Sequence, residues 1–151
     1  MHINPDHFLQ TEHGRIVTPQ RNTLAWEKSF HLLKNALQLA GSETRVYVMV
    51  GAQGSGKSSW VKANALAHVI FFDAILVKRS ERLPIILAAK AQGVAITAVW
   101  LRTPLAICIA RNAARPADER VSEQAICNVY AAIEPPDLSE GFDEILASDC
   151  F

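Results

Sequence analysis

The chain has 151 residues, half of them hydrophobic and a fifth charged, with 15 basic and 15 acidic side chains that balance to a formal charge of zero. That length fits one domain, and the apolar share excludes wholesale disorder. The balanced charge leaves no field to hold a polyanion, and no apolar run reaches the roughly 18 residues of a membrane helix, so composition argues for neither nucleic acid nor a membrane as partner.

Residues 1–22 are polar and irregular, broken by Pro5, Gly14 and Pro19, with a short strand pattern over 15–18. The opening Met1-His2-Ile3-Asn4-Pro5 has no signal-peptide pattern, and a cytoplasmic chain is expected. The period then turns helical over 23–40. Trp26, Phe30, Leu33 and Leu37 fall on one face, Thr23 offers a cap and Gly41 a stop. Such a stripe packs a helix on the main domain; its other use is a surface for a protein partner. Residues 46–50 make a β-branched run suited to a strand buried on both faces. A glycine-rich turn follows, and a helix is expected over 57–67. Strands are expected over 68–72, 94–101 and 144–147, and helices over 80–92, 104–114 and 122–133. The alternation predicts an α/β chain with a parallel sheet between helices. Cys108, Cys127 and Cys150 lack metal-ligand spacing and are expected as reduced thiols. His2, His7, His13, His31 and His68 are too scattered to suggest a metal cluster.

Residues 51–58 read Gly51-Ala52-Gln53-Gly54-Ser55-Gly56-Lys57-Ser58, a full match to G-x-x-x-x-G-K-[ST]. By average residue usage, one window matches with a probability on the order of 3 in 100,000. Small residues let the backbone curl until successive N–H groups point at phosphate oxygens. The following helix aims its positive end at the same spot. Lys57 supplies a compact cation for the β- and γ-phosphates, and the Ser58 hydroxyl a ligand for Mg²⁺. A nucleoside triphosphate is therefore the expected ligand. No Asn/Thr-Lys-x-Asp base-reading motif occurs, so ATP is expected rather than GTP. Its base would lie between Arg111 and the C-terminal tail.

Asp73 closes the apolar run before it. In a parallel sheet it would emerge beside the phosphate loop, to hold Mg²⁺ or to take a proton from an attacking hydroxyl. Arg111 and Arg115 are four residues apart on one helix face, near a turn that also holds Asp118, Glu119 and Arg120. They could close over a triphosphate and neutralise its charge, or form a solvated turn satisfied by the two acids. Lys78, Arg79 and Arg82 open another helix; basic residues at such a start are usually solvated, with contact to an anionic acceptor the alternative.

These stretches resemble the P-loop kinases that include 5′-hydroxyl polynucleotide kinase domains and zeta-toxin-like kinases. The likeness is carried by residues 51–60, GAQGSGKSSW, by Phe72-Asp73-Ala74, by 103–121 with Arg111 and Arg115, and by Glu140-Gly141-Phe142-Asp143-Glu144. It implies a three-layer P-loop NTPase fold with a mostly parallel sheet of about four strands, the Asp73 strand on one side of the loop strand and the 94–101 strand on the other. Residues 45–151 would form that domain and residues 1–44 an N-terminal extension with one helix. Gly51 to Ser59 would cradle the phosphates, with Arg111 and Arg115 as a lid and Arg115 stabilising the transferring group. The catalytic set implied is Lys57, Asp73 and Arg115. The family usually carries a general base and acceptor pocket between the loop helix and the next strand. Here only 15 residues separate Lys57 from Asp73, and none of residues 58–72 is acidic. An ATP- and Mg²⁺-dependent phosphotransferase is expected, acting on a small hydroxyl compound or a nucleic-acid end. The rival expectation is a nucleotide-dependent regulatory module that hydrolyses ATP slowly.

Overall fold

The structure, a computed structural model, describes residues 1–149. Cys150 and Phe151, and with them the third expected thiol and the end of the tail proposed to flank the base, lie outside the described residues.

His2–Ile3 (β1) leads into a 3-10 turn at Pro5–Phe8, whose Asn4 cap accepts a hydrogen bond from Asp6 N at 2.9 Å. Gln10–Thr11 (β2) and Gly14–Arg15 (β3) pair as an antiparallel hairpin, so the strand expected over 15–18 lies earlier. Pro19–Gln38 (α1) also starts earlier than expected. Thr18, not Thr23, caps it, its Oγ1 accepting from Arg21 N at 3.2 Å. Pro19 takes a first-turn position, where a missing N–H costs nothing. Thr23 instead donates its hydroxyl back to Pro19 O at 3.0 Å.

Strand and helix then alternate: Arg45–Val50 (β4), Lys57–Ala63 (α2), Val69–Asp73 (β5), Arg79–Ala91 (α3), Ala95–Leu101 (β6), Leu105–Ala113 (α4), Glu123–Ala132 (α5) and Glu144–Ser148 (β7). Helix α2 stops short of residue 67. Asn64 caps its end and donates its side-chain amide to Trp60 O at 2.8 Å, and His68 takes a left-handed φ of 65° to aim β5.

One sheet runs β1-β5-β4-β6-β7, every pairing parallel. Four of its strands are those expected, with β5 and β6 flanking β4 as the resemblance implied. The fifth is β1, whose His2 and Ile3 pair with Phe71 and Phe72. Helices cover both faces, giving an α/β fold consistent with a P-loop NTPase-like topology. Side chains alternate along the strands. Val46, Val48, Ile70, Phe72 and Ile96 share a core with Ile3 and with Leu33, Leu37, Ile85 and Ile86 of α1 and α3. Met49, Phe71 and Val99 pack with Val61 of α2. Within the predicted stripe of α1, Leu33 and Leu37 are buried, and Trp26 and Phe30 pack against the same core.

Arg82 corrects the expectation of a solvated basic helix start. Lys78 and Arg79 are exposed, but Arg82 is fully buried and forks onto Glu140 at 2.8 and 2.9 Å. Cys108 and Cys127 are free thiols. Among the described residues no helix is long and apolar enough to cross a membrane.

Candidate active site

The parallel register brings Met49 level with Asp73 and Val50 level with Trp100, so β4, β5 and β6 end at one edge of the sheet. Residues 51–56 curl over that edge. Gly54 and Gly56 take φ of 77° and 99°, and a Cβ at Gly54 would run into the carbonyl oxygen of Cys108. Beneath the loop, Thr103 Oγ1 donates to Ser55 O at 2.7 Å and fixes its height. Lys57, 9% exposed, donates Nζ to Gly51 O at 2.9 Å and to Ala52 O at 3.1 Å, folding back on the loop that would present it. Burial pulls its pKa below the ordinary lysine value, against the opposing charge of Asp73.

Two polar atoms of the loop, Ser55 Oγ and Gln53 Oε1, are buried without a hydrogen-bond partner among the described residues. Buried polar atoms are rarely left so. Gln53, Ser55 and Lys57 all line a cleft of about 390 Å³. A ligand rich in hydrogen-bonding oxygens fits this lining.

Asp73, 2% exposed, lines the same cleft. Its Oδ2 accepts from Ser58 Oγ at 2.9 Å, from His2 Nε2 at 3.0 Å and from Asn4 Nδ2 at 3.4 Å. Burial alone would raise its pKa, but His2, Lys57 and Ser58 together outweigh burial and hold the carboxyl below its ordinary value. A hydroxyl and an ionised carboxylate in contact are a donor set that suits Mg²⁺. Ser59, exposed, lies beside them at the rim.

Arg115 lines this cleft and also a second one of about 540 Å³, which reaches Trp60, Leu101 and Arg111. Arg111 Nη1 donates to Gly54 O at 3.4 Å. The turn behind Arg115 is fixed by Asn112, whose amide donates to Val121 O at 2.7 Å and accepts from Val121 N at 3.0 Å. Asp118 and Glu119 do not satisfy the turn's own arginines. Asp118 Oδ2 accepts from Arg15 N at 2.8 Å, and Glu119 lies 3.9 Å from Arg15 Nη2.

The structure thus gathers residues 51–59, Asp73, Arg111 and Arg115 at one sheet edge. It also brings in a group the sequence reading missed: His2, Asn4, Pro5, Asp6, Asn22 and Trp26, all from the N-terminal segment. No spacing signal links them to residue 73, because β1 meets β5 only through chain folding. Trp26 was legible as core; its share in the cleft was not.

A comparison with protein families matches residues 62–136 to a family described as an AAA domain. The match starts within α2, after the glycine-rich loop, and covers β5, α3, β6, α4 and α5. No curated protein matches the chain. At the level of a superfamily, the chain is similar to P-loop and AAA-related domains over that stretch.

Proposed function

We propose that the chain is an ATP-dependent phosphotransferase that moves the γ-phosphate of Mg-ATP to a hydroxyl. The observation that carries this reading is the meeting of a buried Lys57 and an unpartnered Ser55 hydroxyl with the Ser58–Asp73 pair in one cleft. Curled backbone, cation and carboxylate together suit a triphosphate and its metal better than they suit an ordinary turn. The backbone N–H groups of residues 53–58 would face the phosphates, and Lys57 would exchange its two loop carbonyls for phosphate oxygens. Ser58 and Asp73 would hold Mg²⁺, which when bound draws negative charge off phosphate oxygens. Arg115 would add positive charge where the transferring group carries most negative charge. The second cleft, walled by Trp60 and Arg111, would take the nucleoside.

The test is calorimetric titration of Mg-ATP into the wild type and Lys57→Ala. A charge-assisted contact of this kind contributes about 1.5–3 kcal/mol, so affinity should fall about 10- to 100-fold. Equal affinity in the two proteins would overturn the reading. A nucleotide-dependent switch remains the second reading, and one observation favours it: His2 and Asn4 already occupy Asp73 Oδ2. That reading calls for slow hydrolysis of γ-labelled ATP with label passing to water alone.

A further inference from the structure

Residues 58–72 contain no acid, so the proton of an attacking hydroxyl needs a receiver from elsewhere in the fold. Two carboxylates line the 390 Å³ cleft, Asp73 and Asp6. Asp73 Oδ2 already takes three donors and sits against Ser58, the place of a charge holder. Asp6 differs. Its Oδ2 accepts from Arg15 Nη1 at 3.1 Å, while Oδ1 accepts no hydrogen bond among the described residues. Arg15 in turn ties β3 to Asp118 and Glu119, so the clamp on Asp6 is continuous with the turn that carries Arg115.

The wall around Asp6 has its own chemistry. Residues 1–40 contribute Asn4, Pro5, Asp6, Asn22 and Trp26 to the cleft, and no cation. Of the arginines in this segment, Arg15 donates Nη1 to Asp6 and keeps its Nε buried without a partner among the described residues, and Arg21 donates to the carbonyls of Ile16 and Leu9 at 3.1 and 3.3 Å. The cleft's two cations, Lys57 and Arg115, lie on the phosphate side. An acceptor bearing phosphates, such as a nucleic-acid end, would meet a carboxylate and no positive partner there, whereas such ligands are held chiefly by Lys and Arg. Asn22 presents an amide with no partner among the described residues. Trp26 presents an indole steadied by Phe30 and Phe72, both 6.1 Å away centroid to centroid. An amide, a flat apolar ring and a carboxylate suit a sugar or cyclitol, which offers hydroxyls to the first and last and C–H faces to the ring.

We propose that the N-terminal segment forms the acceptor half of the cleft, that it takes a neutral polyhydroxylated small molecule, and that Asp6 receives the hydroxyl proton. The proposal rests on the phosphotransferase reading. An acceptor oxygen forms a bond to the γ-phosphorus as the bond from that phosphorus to the β,γ-bridging oxygen breaks. The bond's electron pair leaves with ADP, and the acceptor's proton passes to Asp6 and then to solvent.

The experiment has two stages. Mg-ATP is first titrated into the wild-type protein; failure to bind sinks the phosphotransferase reading itself. A binding-competent protein is then given γ-labelled ATP with glucose, ribose, myo-inositol or glycerol, and separately with ribose 5-phosphate or a 5′-hydroxyl oligonucleotide. Label is expected on a member of the neutral set. Calorimetry of that compound, with Mg²⁺ and the β,γ-imido analogue of ATP present, should show binding. Label on the oligonucleotide or sugar phosphate, or on nothing but water, overturns the neutral acceptor while leaving nucleotide binding intact. Asp6→Asn should lower kcat about 10²- to 10⁴-fold, the usual worth of general-base catalysis, with KM changed only a few-fold. Asn22→Ala, a helix-compatible change on an exposed position, should raise KM several-fold and spare kcat. An unchanged kcat in Asp6→Asn overturns the assignment of the proton, and an unchanged KM in Asn22→Ala overturns the acceptor wall.

Discussion

Asp143 is a single side chain that fixes the start of a central strand. Its Oδ2 accepts from Ile96 N at 2.8 Å, its own N–H donates to Ile96 O at 2.9 Å, and Lys90 Nζ approaches Oδ1 at 3.2 Å. The Ile96 N–H bond lowers the carboxyl's pKa most; slight burial opposes it and Lys90 adds to the lowering. A folded-state value below the unfolded value of about 3.9 means that the folded state favours the charged form. The stabilisation is then complete above that unfolded value and is lost as pH falls through the lower folded one. Asp143→Asn keeps an acceptor for Ile96 N but removes the charge. Thermal melts between pH 2 and 7 should show the mutant less stable near neutrality and the gap closing in acid. Because the side chain is 49% exposed, solvent screening keeps the gap small. A gap of the same size at every pH would contradict this account.

Among the elements, α3 carries a buried charge that its sequence position half-announces. Arg82 lies three and four residues before Ile85 and Ile86, hence on the face α3 turns inward, and the same spacing was there to be read beforehand. What could not be read is its partner. Glu140 is 58 residues away in a 3-10 turn and only 4% exposed, and Arg82 Nη1 also donates to Leu76 O and Val77 O at 3.0 and 3.2 Å. The stretch 140–144, one carrier of the family likeness, thereby gains a structural role: Glu140 anchors α3, Phe142 enters the main core and Asp143 pins β6. Arg82→Leu leaves two carbonyls without their donor and Glu140 with only Asp137 N at 2.9 Å and Arg79 Nε at 4.0 Å, and removing one partner of a buried pair costs about 3–5 kcal/mol. Urea unfolding should show that loss, and Arg82→Leu with Glu140→Leu should recover a large part of it. No recovery in the double mutant would mean that the carbonyl contacts of Arg82 and the bond Glu140 takes from Asp137 N, not the ion pair, dominate. Strands β4 to β6 were legible because β-branched and apolar runs of that length have few other uses. The start of α1 was missed because Pro19 reads equally as a breaker and as a first-turn residue behind the Thr18 cap, and the apolar stripe that decides between them was followed only from Trp26. The glycine-rich loop was legible residue by residue; the acceptor wall was not, because it is made by segments far apart in sequence.

Over the whole molecule, the N-terminal segment is built into the core rather than hung upon it. Ile3, 1% exposed, packs in the cluster that holds Leu33, Phe72 and Ile85, and Phe71 N donates to Met1 O at 2.9 Å to extend the sheet. The residues that reach Asp73 and those that wall the cleft thus depend on the same apolar contacts that hold α1. Ile3→Ala tests this coupling. Truncating a buried isoleucine costs about 2–5 kcal/mol, the spread reflecting how far the site can collapse. Three tryptophans report from separate places: Trp26 on α1, Trp60 on α2 and Trp100 on β6. If the segment and the sheet are one cooperative unit, fluorescence and far-UV circular dichroism trace a single urea transition in the wild type. Ile3→Ala moves that transition to lower urea with an unchanged slope, because the surface exposed on unfolding hardly changes. An early fluorescence step, with most helix and strand signal surviving to a later one, would instead show residues 1–40 coming away alone. In that event Asp73 would lose His2 and Asn4 while the phosphate loop stayed folded, and the acceptor wall would be separable from the nucleotide site.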